Sequence, residues 1–434
     1  MIRHKHQTIL GDIPSDWDAR PLRSLLADEL SGDWGDDEGE VTLSVLRSTN
    51  FTDSGNLKLD DVAKRGFTRT KAEHVQVQPN DILVERSGGG PNQPVGRVVM
   101  IREEMPDTGL ANFVQTLRPD STKIRPELLL WTLHQLNRSG FVEKLQHQTT
   151  QMRNLDLRDY LKVLIPVPRD SKEQDRIAEA LKAADDHIRA LEEQIRKAER
   201  VKTALLQFLF VSGLPGAEFS TTESKIGFVP SHWTFQRIGK TFREPPFSGV
   251  SPESRPNPPG TPILNVSCVN DGQCTLEKLT YVDLDEATIK ANSALKGDFF
   301  VLRGNGNRDY VGTGGWLRVD PPENCVFSDK LIRLRFDTER VAEGFYPYLW
   351  QSRAFQIRLQ SKAQSGSGLW MMTKRDISRE WVALPPKDEQ IEMVEILDAA
   401  TEALSALQKQ LTTARRVKQS LLQNLLTGKI RLKA

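Results

Sequence analysis

The sequence predicts an α+β protein in which two similar globular domains of mixed helix and strand are separated by two long antiparallel helices. These helices would form a coiled-coil-like spacer and give the chain internal pseudo-twofold symmetry. Three observations predict this class. The chain has 434 residues, and a single hydrophobic core does not normally support a chain of this length. It repeats itself at an offset of 216 residues, as Glu173-Gln174 and Glu389-Gln390 show. The best-matched stretches, 171–212 and 387–428, contain no proline, and no glycine before the last residue.

The composition is that of a globular protein with few signs of special chemistry. The chain is 38% hydrophobic and 27% charged, which argues against a disordered protein. No apolar run is long enough to span a membrane, and the N-terminus lacks the apolar region of a secretory signal, so we expect a cytoplasmic protein. The 3 cysteines form no CxxC pair and the 7 histidines show no metal spacing. At a net charge of +1, any nucleic-acid-binding surface must concentrate its basic groups in one place.

Residues 1–168 are predicted to form the first globular domain. Runs rich in β-branched and aromatic residues, joined by glycine- and proline-rich segments, predict strands. The strands are predicted at 41–46, 81–85, 95–101 and 113–117, and a helix at 127–136. A segment of about 170 residues is long enough for an independent core.

Residues 169–212 are predicted as the first spacer helix. Apolar residues recur there in alternating steps of four and three, which is the heptad seam of a helix that packs on another helix. The large residues of this seam are Ile177, Leu181, Ile188, Leu191 and Ile195. Pro168 precedes the helix and Gly213 follows it, as expected at helix boundaries.

Residues 213–385 are predicted to form a second globular domain that echoes the first. Pro14 and Trp17 recur as Pro230 and Trp233. Asp81 and Arg86 recur as Asp298 and Arg303. Strands are predicted at 262–266, 299–302 and 330–336, and a helix at 346–356.

Residues 386–434 are predicted as the second spacer helix and a C-terminal tail. The seam recurs with Met393, Leu397, Leu404, Leu407 and Leu411. Because the two ends of a domain usually lie close together, the second helix should begin near the end of the first and return beside it. This favours an antiparallel pair, and about forty residues would span roughly 60 Å.

The last turns of both helices are apolar over a wider arc than helix pairing requires. These arcs lie at 205–210 and 421–426. We interpret each arc as a docking surface for a globular domain or for a partner.

Motifs for catalysis are scarce. No Walker phosphate-binding motif is present, and the proline-rich stretches at 244–247, 257–260 and 320–323 each lack one element of the amino-methyltransferase motif. Gly304-Asn305-Gly306 follows a predicted strand, but no amphipathic helix follows it to cradle a cofactor. A catalytic site, whether metal-dependent or not, therefore has few candidate residues.

Loops that combine basic or amide side chains with glycine or serine are the better candidates, and they point to DNA. Arginine pairs with guanine and the amides pair with adenine, while serine, lysine and backbone N–H groups contact phosphate. Such loops occur at equivalent places in both repeats, which favours a shared role. The candidate DNA-binding residues are Lys64, Arg65, Arg69, Arg86, Ser87, Gln151, Arg153, Arg303, Asn305, Asn307, Arg308, Ser365 and Ser367.

The chain resembles the specificity subunits of bacterial type I restriction-modification enzymes over nearly its whole length. The Glu-Gln pair that opens each helix carries the resemblance, together with the duplicated layout. Arg200-Val201-Lys202 near the end of the first helix recurs as Arg416-Val417-Lys418 and also belongs to the family pattern. So does the entry motif 13–17, which recurs at 229–233.

This resemblance implies that the two globular domains are target-recognition domains that read the two halves of a split double-stranded DNA site. It implies a subunit with no catalytic role and no bound cofactor. Two methyltransferase subunits would supply S-adenosylmethionine chemistry, and two restriction subunits would use ATP and Mg. A rigid spacer would hold the half-sites at a fixed gap, since successive major-groove faces lie about 34–36 Å apart.

Two other functions remain open from the residues. The near-neutral charge favours a structural adaptor whose two domains bind proteins on a helical strut. A fused enzyme with its own cleavage or methylation chemistry is the second, and the scarcity of catalytic motifs counts against it.

Overall fold

The computed structural model describes residues 7–52, 55–88, 94–148, 152–214, 220–366 and 368–432. The chain divides into two units. Unit 1 consists of Met1–Glu192 and Lys409–Ala434, and unit 2 consists of Glu193–Gln408. Each unit therefore holds one globular part, together with segments of both long helices.

Unit 1 is built largely from short strands. Its strands are β1 (Gln7–Thr8), β2 (Gly11–Asp12), β3 (Trp17–Pro21), β4 (Leu26–Ser31), β5 (Val41–Leu46), β6 (Ala63–Phe67), β7 (Ile82–Glu85), β8 (Ser87–Gly88), β9 (Val98–Met100), β10 (Thr108–Leu110), β11 (Val114–Pro119), β12 (Gln146–Gln148), β13 (Arg153–Leu155) and β14 (Leu164–Pro168). Its helices are α1 (Arg69–Val75), α2 (Pro126–Arg138), α3 (Leu157–Tyr160) and the first part of α4 (Ser171–Ser212).

Three small sheets carry the first globular part. The strand orders are β4-β11-β7-β9, β10-β5-β6 and β12-β13-β8, and β3 pairs with β14 beside them. Strand β7 is buried along its whole length, because Ile82 and Val84 pack in one core with the leucines of α2 and Leu83 packs in a second core with Val99. The same core includes Ile177 and Leu181 of α4 and Leu422 from the end of the last helix.

Unit 2 repeats this plan. Its strands are β15 (Thr221–Ser224), β16 (Gly227–Pro230), β17 (Thr234–Arg237), β18 (Phe247–Ser248), β19 (Thr261–Leu264), β20 (Val269–Asn270), β21 (Gly272–Cys274), β22 (Thr280–Val282), β23 (Phe299–Leu302), β24 (Gly304–Asn305), β25 (Gly314–Trp316), β26 (Val326–Phe327), β27 (Leu331–Leu334), β28 (Gln364–Gly366), β29 (Leu369–Met371) and β30 (Trp381–Leu384). Its helices are α5 (Glu286–Ala291), α6 (Phe345–Gln351), α7 (Arg353–Gln360), α8 (Lys374–Ser378), the last part of α4 and the first part of α9 (Lys387–Leu425), whose end belongs to unit 1.

The sheets of unit 2 have the orders β18-β27-β23-β25-β21-β20, β22-β19-β26 and β24-β29-β28. Strand β17 pairs with β30, as β3 pairs with β14 in unit 1. The core combines Met393 and Leu397 of α9 with Leu206 and Leu209 of α4. Each core thus contains the beginning of one long helix and the end of the other.

The two long helices are antiparallel where they meet inside each unit. In unit 1, Lys418 contacts Asp185 and Arg415 contacts Glu192, so the residue number rises on α4 as it falls on α9. Helix α4 has 42 residues and α9 has 39, and both are unbroken. The predicted spacer of long antiparallel helices is confirmed.

Burial along the predicted seam is greatest near the globular cores. Ile177, Leu181, Met393 and Leu397 are 0% exposed, and Ile188 and Leu191 are nearly as buried. The remaining seam residues are partly exposed; they are Ile195, Leu404, Leu407 and Leu411. The apolar arcs at the helix ends pack into the cores, where Leu209 is 0% and Leu425 is 1% exposed. Each arc therefore docks on a globular part, which is the first of the two interpretations given above.

Two predicted elements need correction. The helix predicted at 346–356 is two helices, α6 and α7, because Ser352 between them has an extended backbone with ψ of 131°. The strand predicted at 95–101 is only β9, Val98–Met100. The strand predicted at 41–46 is found with those bounds as β5.

Candidate nucleic-acid interface

In unit 1 a small sheet gathers loops that are far apart in the sequence. Strand β8, with Ser87, lies beside β13, which begins at Arg153. Strand β12 pairs with the other edge of β13. The candidate residues Ser87 and Arg153 are therefore brought onto neighbouring strands, and the hydroxyl of Ser87 donates a hydrogen bond of 2.7 Å to Oδ1 of Asn154.

Unit 2 builds the same sheet from the equivalent loops. Strand β24, with Asn305, lies beside β29, and β28, with Ser365, lies on the other edge of β29. Asn305 and Ser365 are both paired with Trp370 across the sheet. Because directly opposed residues on neighbouring strands lie on the same face, the three side chains form one row.

The two sheets have the same register. Gly88, Arg153 and Gln148 form the row in unit 1 that corresponds to Asn305, Trp370 and Ser365 in unit 2. We call these rows the reading rows. The next row contains His147, Asn154 and Ser87 in unit 1 and Gln364, Met371 and Gly304 in unit 2. The two small sheets therefore have the same strand pairing but carry different side chains.

In each unit one residue connects a strand of the core sheet to a strand of the small sheet that carries the reading row. This residue is Arg86 in unit 1 and Arg303 in unit 2, and we call its position the joint. The backbone N–H of Arg86 donates to the carbonyl of Phe113 and its carbonyl accepts from the N–H of Leu155, both at 2.8 Å. Arg303 donates to Lys330 and accepts from Met372, again at 2.8 Å. Both backbone groups are therefore satisfied, and each side chain stays partly exposed beside the sheet.

A buried ion pair anchors the strand that leads to each joint. Asp81 is 0% exposed and accepts two hydrogen bonds from Arg118, at 2.8 and 2.9 Å. Asp298 is 2% exposed and accepts two from Arg335, at 2.5 and 3.0 Å. The two residues that recur in the sequence, Asp81 and Arg86, therefore have different roles. The aspartate fixes the strand through its ion pair, and the arginine lies at the end of that strand.

The arginines beside the core strands are neutralised by carboxylates, whereas several of the basic candidates have no such partner in the described part of the chain. Arg97 forms a bidentate ion pair with Glu85, at 2.9 and 3.0 Å, as Arg118 does with Asp81. Within the described ranges, no carboxylate ion-pairs with Lys64, Arg69, Arg86, Arg303 or Arg308. A net charge of +1 therefore does not prevent these side chains from attracting phosphate.

Arg65 is the exception among the basic candidates. Its guanidinium pairs with Asp37 and lies 5.0 Å from the ring centroid of Trp34. These contacts hold the side chain against its own domain. Lys64 and Arg65 lie on β6 and Arg69 begins α1, so the structure places these three beside the β10-β5-β6 sheet, apart from the reading row.

Trp370 is the residue of this site that sequence reasoning missed. It fills the centre of its row, and the guanidinium of Arg308 lies 5.0 Å from its ring centroid. The candidates Asn305, Ser365 and Arg308 therefore converge on one indole. Aligning the repeats residue by residue would have placed Trp370 opposite Arg153 and so could have found it.

Two asparagine side chains shape the loop that holds Arg308. Oδ1 of Asn305 accepts from the N–H of Asn307 at 2.9 Å, and Oδ1 of Asn307 accepts from the N–H of Asp309 at 3.0 Å. Both amide NH₂ groups remain available as donors. The candidates Gln151 and Ser367 lie outside the described residues.

One carboxylate beside the first sheet has a perturbed pKa. The backbone N–H of Asp159 donates to Asp156 at 3.0 Å, and His147 lies 3.4 Å from its other oxygen. The first contact and then the second lower the pKa of Asp156 below its ordinary value. Asp156 thus caps helix α3 as an anion and holds the neighbouring His147 of β12.

Across the described part of the chain, no group of three or more His, Cys, Asp or Glu side chains is placed to hold a metal ion. None of the helices described has the length and apolar character needed to cross a membrane.

The family model for the type I restriction modification DNA specificity domain matches residues 45–200. A putative type I restriction enzyme MjaX specificity subunit from Methanocaldococcus jannaschii is 24% identical over 447 aligned residues, which cover 98% of this chain and 96% of the relative. The type I restriction enzyme EcoKI specificity subunit from Escherichia coli is 23% identical, with 83% of this chain and 76% of the relative covered.

Solved structures show the same fold. The type I restriction-modification S subunit from M. genitalium superposes with a TM-score of 0.58 at 15% identity, over 98% of this chain and 99% of that one. A chain from a structural study of complex assembly and conformational transition of the type I R-M system has a TM-score of 0.56 at 15% identity, over 96% and 100%.

Proposed function

We propose that this chain, which is similar to the type I restriction-modification specificity subunits, is the sequence-specific DNA-recognition subunit of such a complex and reads a bipartite and asymmetric site. One observation carries the proposal. Both units build the same three-stranded sheet in the same register and fill it with different side chains. Two sheets with the same strand pairing and different side chains are suited to recognising two different half-sites.

The chemistry of the reading rows fits base edges in the major groove, which admits a two-stranded β-ribbon. Arg153 of unit 1 can pair with guanine and Gln148 with adenine. In unit 2, Asn305 can pair with adenine, and Trp370 offers an apolar surface. The arginines at the joints, Arg86 and Arg303, are placed to contact phosphate and to orient each row.

We further propose the domain limits that follow from the repeat. Residues 1–168 and 213–385 are the two target-recognition domains, and 169–212 and 386–434 contain the spacer helices. The spacer would act as a ruler for the gap between half-sites. Deleting four residues within 184–195 should abolish recognition of the natural gap while the chain still folds; an unchanged gap preference would contradict the ruler.

The partners follow from the same proposal. The chain would recruit two methyltransferase subunits and two restriction subunits in the cytoplasm and have no catalytic role of its own. S-adenosylmethionine, ATP and Mg would belong to those partners. Co-purification of the chain with its neighbouring gene products tests this assignment, and methylation or cleavage by the isolated chain would contradict it.

Selection from random duplexes tests the DNA-binding function. The full-length chain, purified with its methyltransferase partner, should enrich two short motifs separated by a constant gap. Binding should weaken steeply as salt rises, because phosphate contacts release counterions. Enrichment of one continuous motif would contradict the bipartite site.

A structural adaptor is the second candidate, favoured by the net charge of +1. It predicts no sequence enrichment and a weak dependence on salt. The same selection experiment therefore separates the two functions.

A further inference from the structure

A strongly acidic stretch and a strongly basic stretch meet at one edge of a sheet in unit 1. Residues 33–40 contain five carboxylates, and we call them the acidic segment. Residues 64–71 contain four Lys and Arg side chains, on β6 and at the start of α1, and we call them the basic cluster. An antiparallel bridge between Asp36 and Gly66 brings the two stretches together at the edge of the β10-β5-β6 sheet.

Two ion pairs join the acidic segment to the basic cluster. Asp37 pairs with Arg65, and Oδ2 of Asp33 lies 3.2 Å from Nζ of Lys71. The side chain of Asp37 is 91% exposed, so a duplex that approached Arg65 would meet this carboxylate as well. Both cations therefore already have an anion of their own domain in the place that a phosphate would take.

The backbone fixes the acidic segment against the basic cluster. The N–H of Asp36 donates to the carbonyl of Gly66 at 2.9 Å, and the N–H of Gly66 donates back at 2.8 Å. A Cβ at Gly39 would lie 2.3 Å from the backbone nitrogen of Phe67, so this close approach requires glycine. The acidic segment is therefore a fixed part of the domain and not a lid that opens.

The ion pairs do not account for all of the negative charge. Asp36 and Glu38 are exposed, and in the part of the chain that the structure describes they form no ion pair. Their charge is close enough in the chain to Asp37 to act on the same surface, since electrostatic interactions extend over about 8–10 Å in physiological salt. These carboxylates would repel the phosphates of an approaching duplex.

Unit 2 makes the equivalent face negative with different residues. Its β22-β19-β26 sheet has the same strand directions as β6-β5-β10, and Arg255 forms the equivalent bridge to Tyr281. The charges are exchanged there, because Arg255 pairs with Asp283 at 2.6 Å. Residues 249–256 contain one Glu and one Arg, and residues 280–287 contain three carboxylates and no Lys or Arg. The sign of the ion pair thus differs between the units, while a surplus of negative charge occurs in both.

Such a surplus has a use in a protein that selects one DNA sequence among many. Non-specific affinity for DNA comes essentially from contacts between cations and phosphates, and the four cations of the basic cluster would supply them on any sequence. Specificity is a ratio of affinities, so it rises when binding to other sequences is opposed. The basic cluster lies on a different sheet from the reading row, so negative charge there leaves base recognition untouched.

We propose that Asp36, Asp37 and Glu38 are specificity-determining residues, which lower the affinity of the first domain for DNA of any sequence by opposing phosphate at the basic cluster. The proposal rests on the DNA-recognition function above and adds how non-specific binding is limited. It assigns Arg65 and Lys71 to carboxylates of their own domain and not to DNA.

Neutralising the three carboxylates tests the proposal. Asp36→Asn, Asp37→Asn and Glu38→Gln are combined in the full-length chain, which is purified with its methyltransferase partner. Affinity is measured over a range of salt for the selected duplex and for a scrambled duplex. Affinity for the scrambled duplex should rise roughly threefold to tenfold, the effect of two exposed charge pairs, and its salt dependence should steepen by about one counterion per freed cation. Affinity for the selected duplex should stay unchanged, so the ratio of the two affinities falls.

Two further variants locate the effect. Adding Arg65→Gln and Lys71→Gln to the triple variant should return the affinity for scrambled DNA close to the wild-type value. The double variant Asp36→Asn with Glu38→Gln keeps the ion pair of Asp37, so it preserves the contacts that hold the segment. It should show a smaller rise of the same sign.

A control removes the same amount of negative charge elsewhere in unit 1. Glu103→Gln, Glu104→Gln and Glu179→Gln change three exposed side chains. This combination should leave the ratio of the two affinities at the wild-type value.

Three results would overturn the proposal. One is a triple variant with the wild-type affinity for scrambled DNA and the wild-type salt dependence. Another is an equal rise for both duplexes, which would place the basic cluster on the DNA in the specific complex. The third is an equal change in the control, which would make the effect one of net charge alone. A wild type that prefers no duplex sequence at all would instead contradict the DNA-recognition function itself, and this inference with it.

Discussion

The indole N–H of Trp17 donates a hydrogen bond of 3.2 Å to the buried carboxylate of Glu173, at the start of helix α4. Trp233 makes the equivalent bond of 3.1 Å to Glu389, at the start of α9. Each carboxylate also has a polar partner of its own: Arg431 for Glu173 and His232 for Glu389. The Trp-Glu pair therefore joins each long helix to the globular part that precedes it.

The glutamine that follows completes this junction. The side chain of Gln174 donates to the carbonyl of Pro168 at 2.8 Å and accepts from the N–H of Arg125 at 2.9 Å. Gln390 makes the two equivalent bonds: its side chain donates to the carbonyl of Pro385 at 2.8 Å and accepts from the N–H of Ala342 at 2.9 Å. The Glu-Gln motif that carries the family resemblance therefore has a structural role, since it attaches the start of each long helix to a globular part.

Removing the Glu173 carboxylate should destabilise unit 1. Glu173 is 2% exposed and accepts two bonds from Arg431, each of 2.6 Å. Glu173→Ala leaves the guanidinium and the indole N–H without this acceptor, and we expect a loss of about 3 kcal/mol in the free energy of unfolding. Urea denaturation followed by tryptophan fluorescence measures it. Glu179→Ala, at an exposed position of the same helix, is the control, and equal losses for both variants would contradict the role of Glu173.

The repeated lysines of the two long helices should differ in their contribution to stability. Nζ of Lys418 lies 2.5 Å from Asp185 and 4.3 Å from the ring centroid of Trp131. Lys202 has no ion pair among the described residues, and burial lowers its pKa, which disfavours its charged form. Positions 401 and 348, which correspond to Asp185 and Trp131, hold threonine and tyrosine.

Lys418→Met should therefore cost about 3 kcal/mol, because Asp185 loses its closest buried partner. Lys202→Met should be neutral or stabilising. Thermal unfolding of the two variants, compared with the wild type, decides the point. A larger loss for Lys202→Met would be inconsistent with this account.

Unit 2 should lose stability at alkaline pH through Tyr348. Burial, and then its hydrogen bond to Asp398, raise the pKa of Tyr348 from 10.0 to about 12. Between these values the unfolded chain releases the proton while the folded chain keeps it, so stability falls as the pH rises from about 10 to 12. Tyr348→Phe should show a smaller fall over this range in urea titrations. Tyr281→Phe should keep the wild-type slope, and a matching slope for Tyr348→Phe would argue against this assignment.

Substitutions in the two reading rows should alter different halves of the DNA site. Arg153→Ala should relax base preference only in the first half-site, and Asn305→Ala only in the second. Loss of one good side-chain pairing costs about 1–3 kcal/mol of discrimination, which is roughly fivefold to a hundredfold. Selection from random duplexes with each variant measures the change position by position. A variant that alters both half-sites equally would show that the rows do not read separate sequences.

Sequence patterns predicted the long helices better than the sheets. The first spacer helix, predicted at 169–212, is found at Ser171–Ser212, because its apolar period and the flanking Pro168 and Gly213 are local signals. Strands β8 and β24 have only two residues each and show no alternation that a sequence could reveal. The broken helix at Ser352 likewise depends on packing, since Phe345 and Phe355 on either side are both fully buried.

The candidate site was predicted in its parts but not in its arrangement. Arg86-Ser87 and Arg153 were chosen from separate loops, and only strand pairing places these loops together. Arg65 was chosen with them, yet Asp37 neutralises it, and no spacing rule links two residues of separate segments. Trp370 was overlooked because a single tryptophan carries no motif.

By itself the sequence determined the duplication, the two heptad-patterned helices and the family resemblance, since each depends on residues a fixed number of positions apart. Only the tertiary structure decided which short strands pair, which arginines form ion pairs and which side chains share a row. Those features depend on contacts between residues tens of positions apart, where the free energy of burial and hydrogen bonding selects one pairing among many that the local pattern allows.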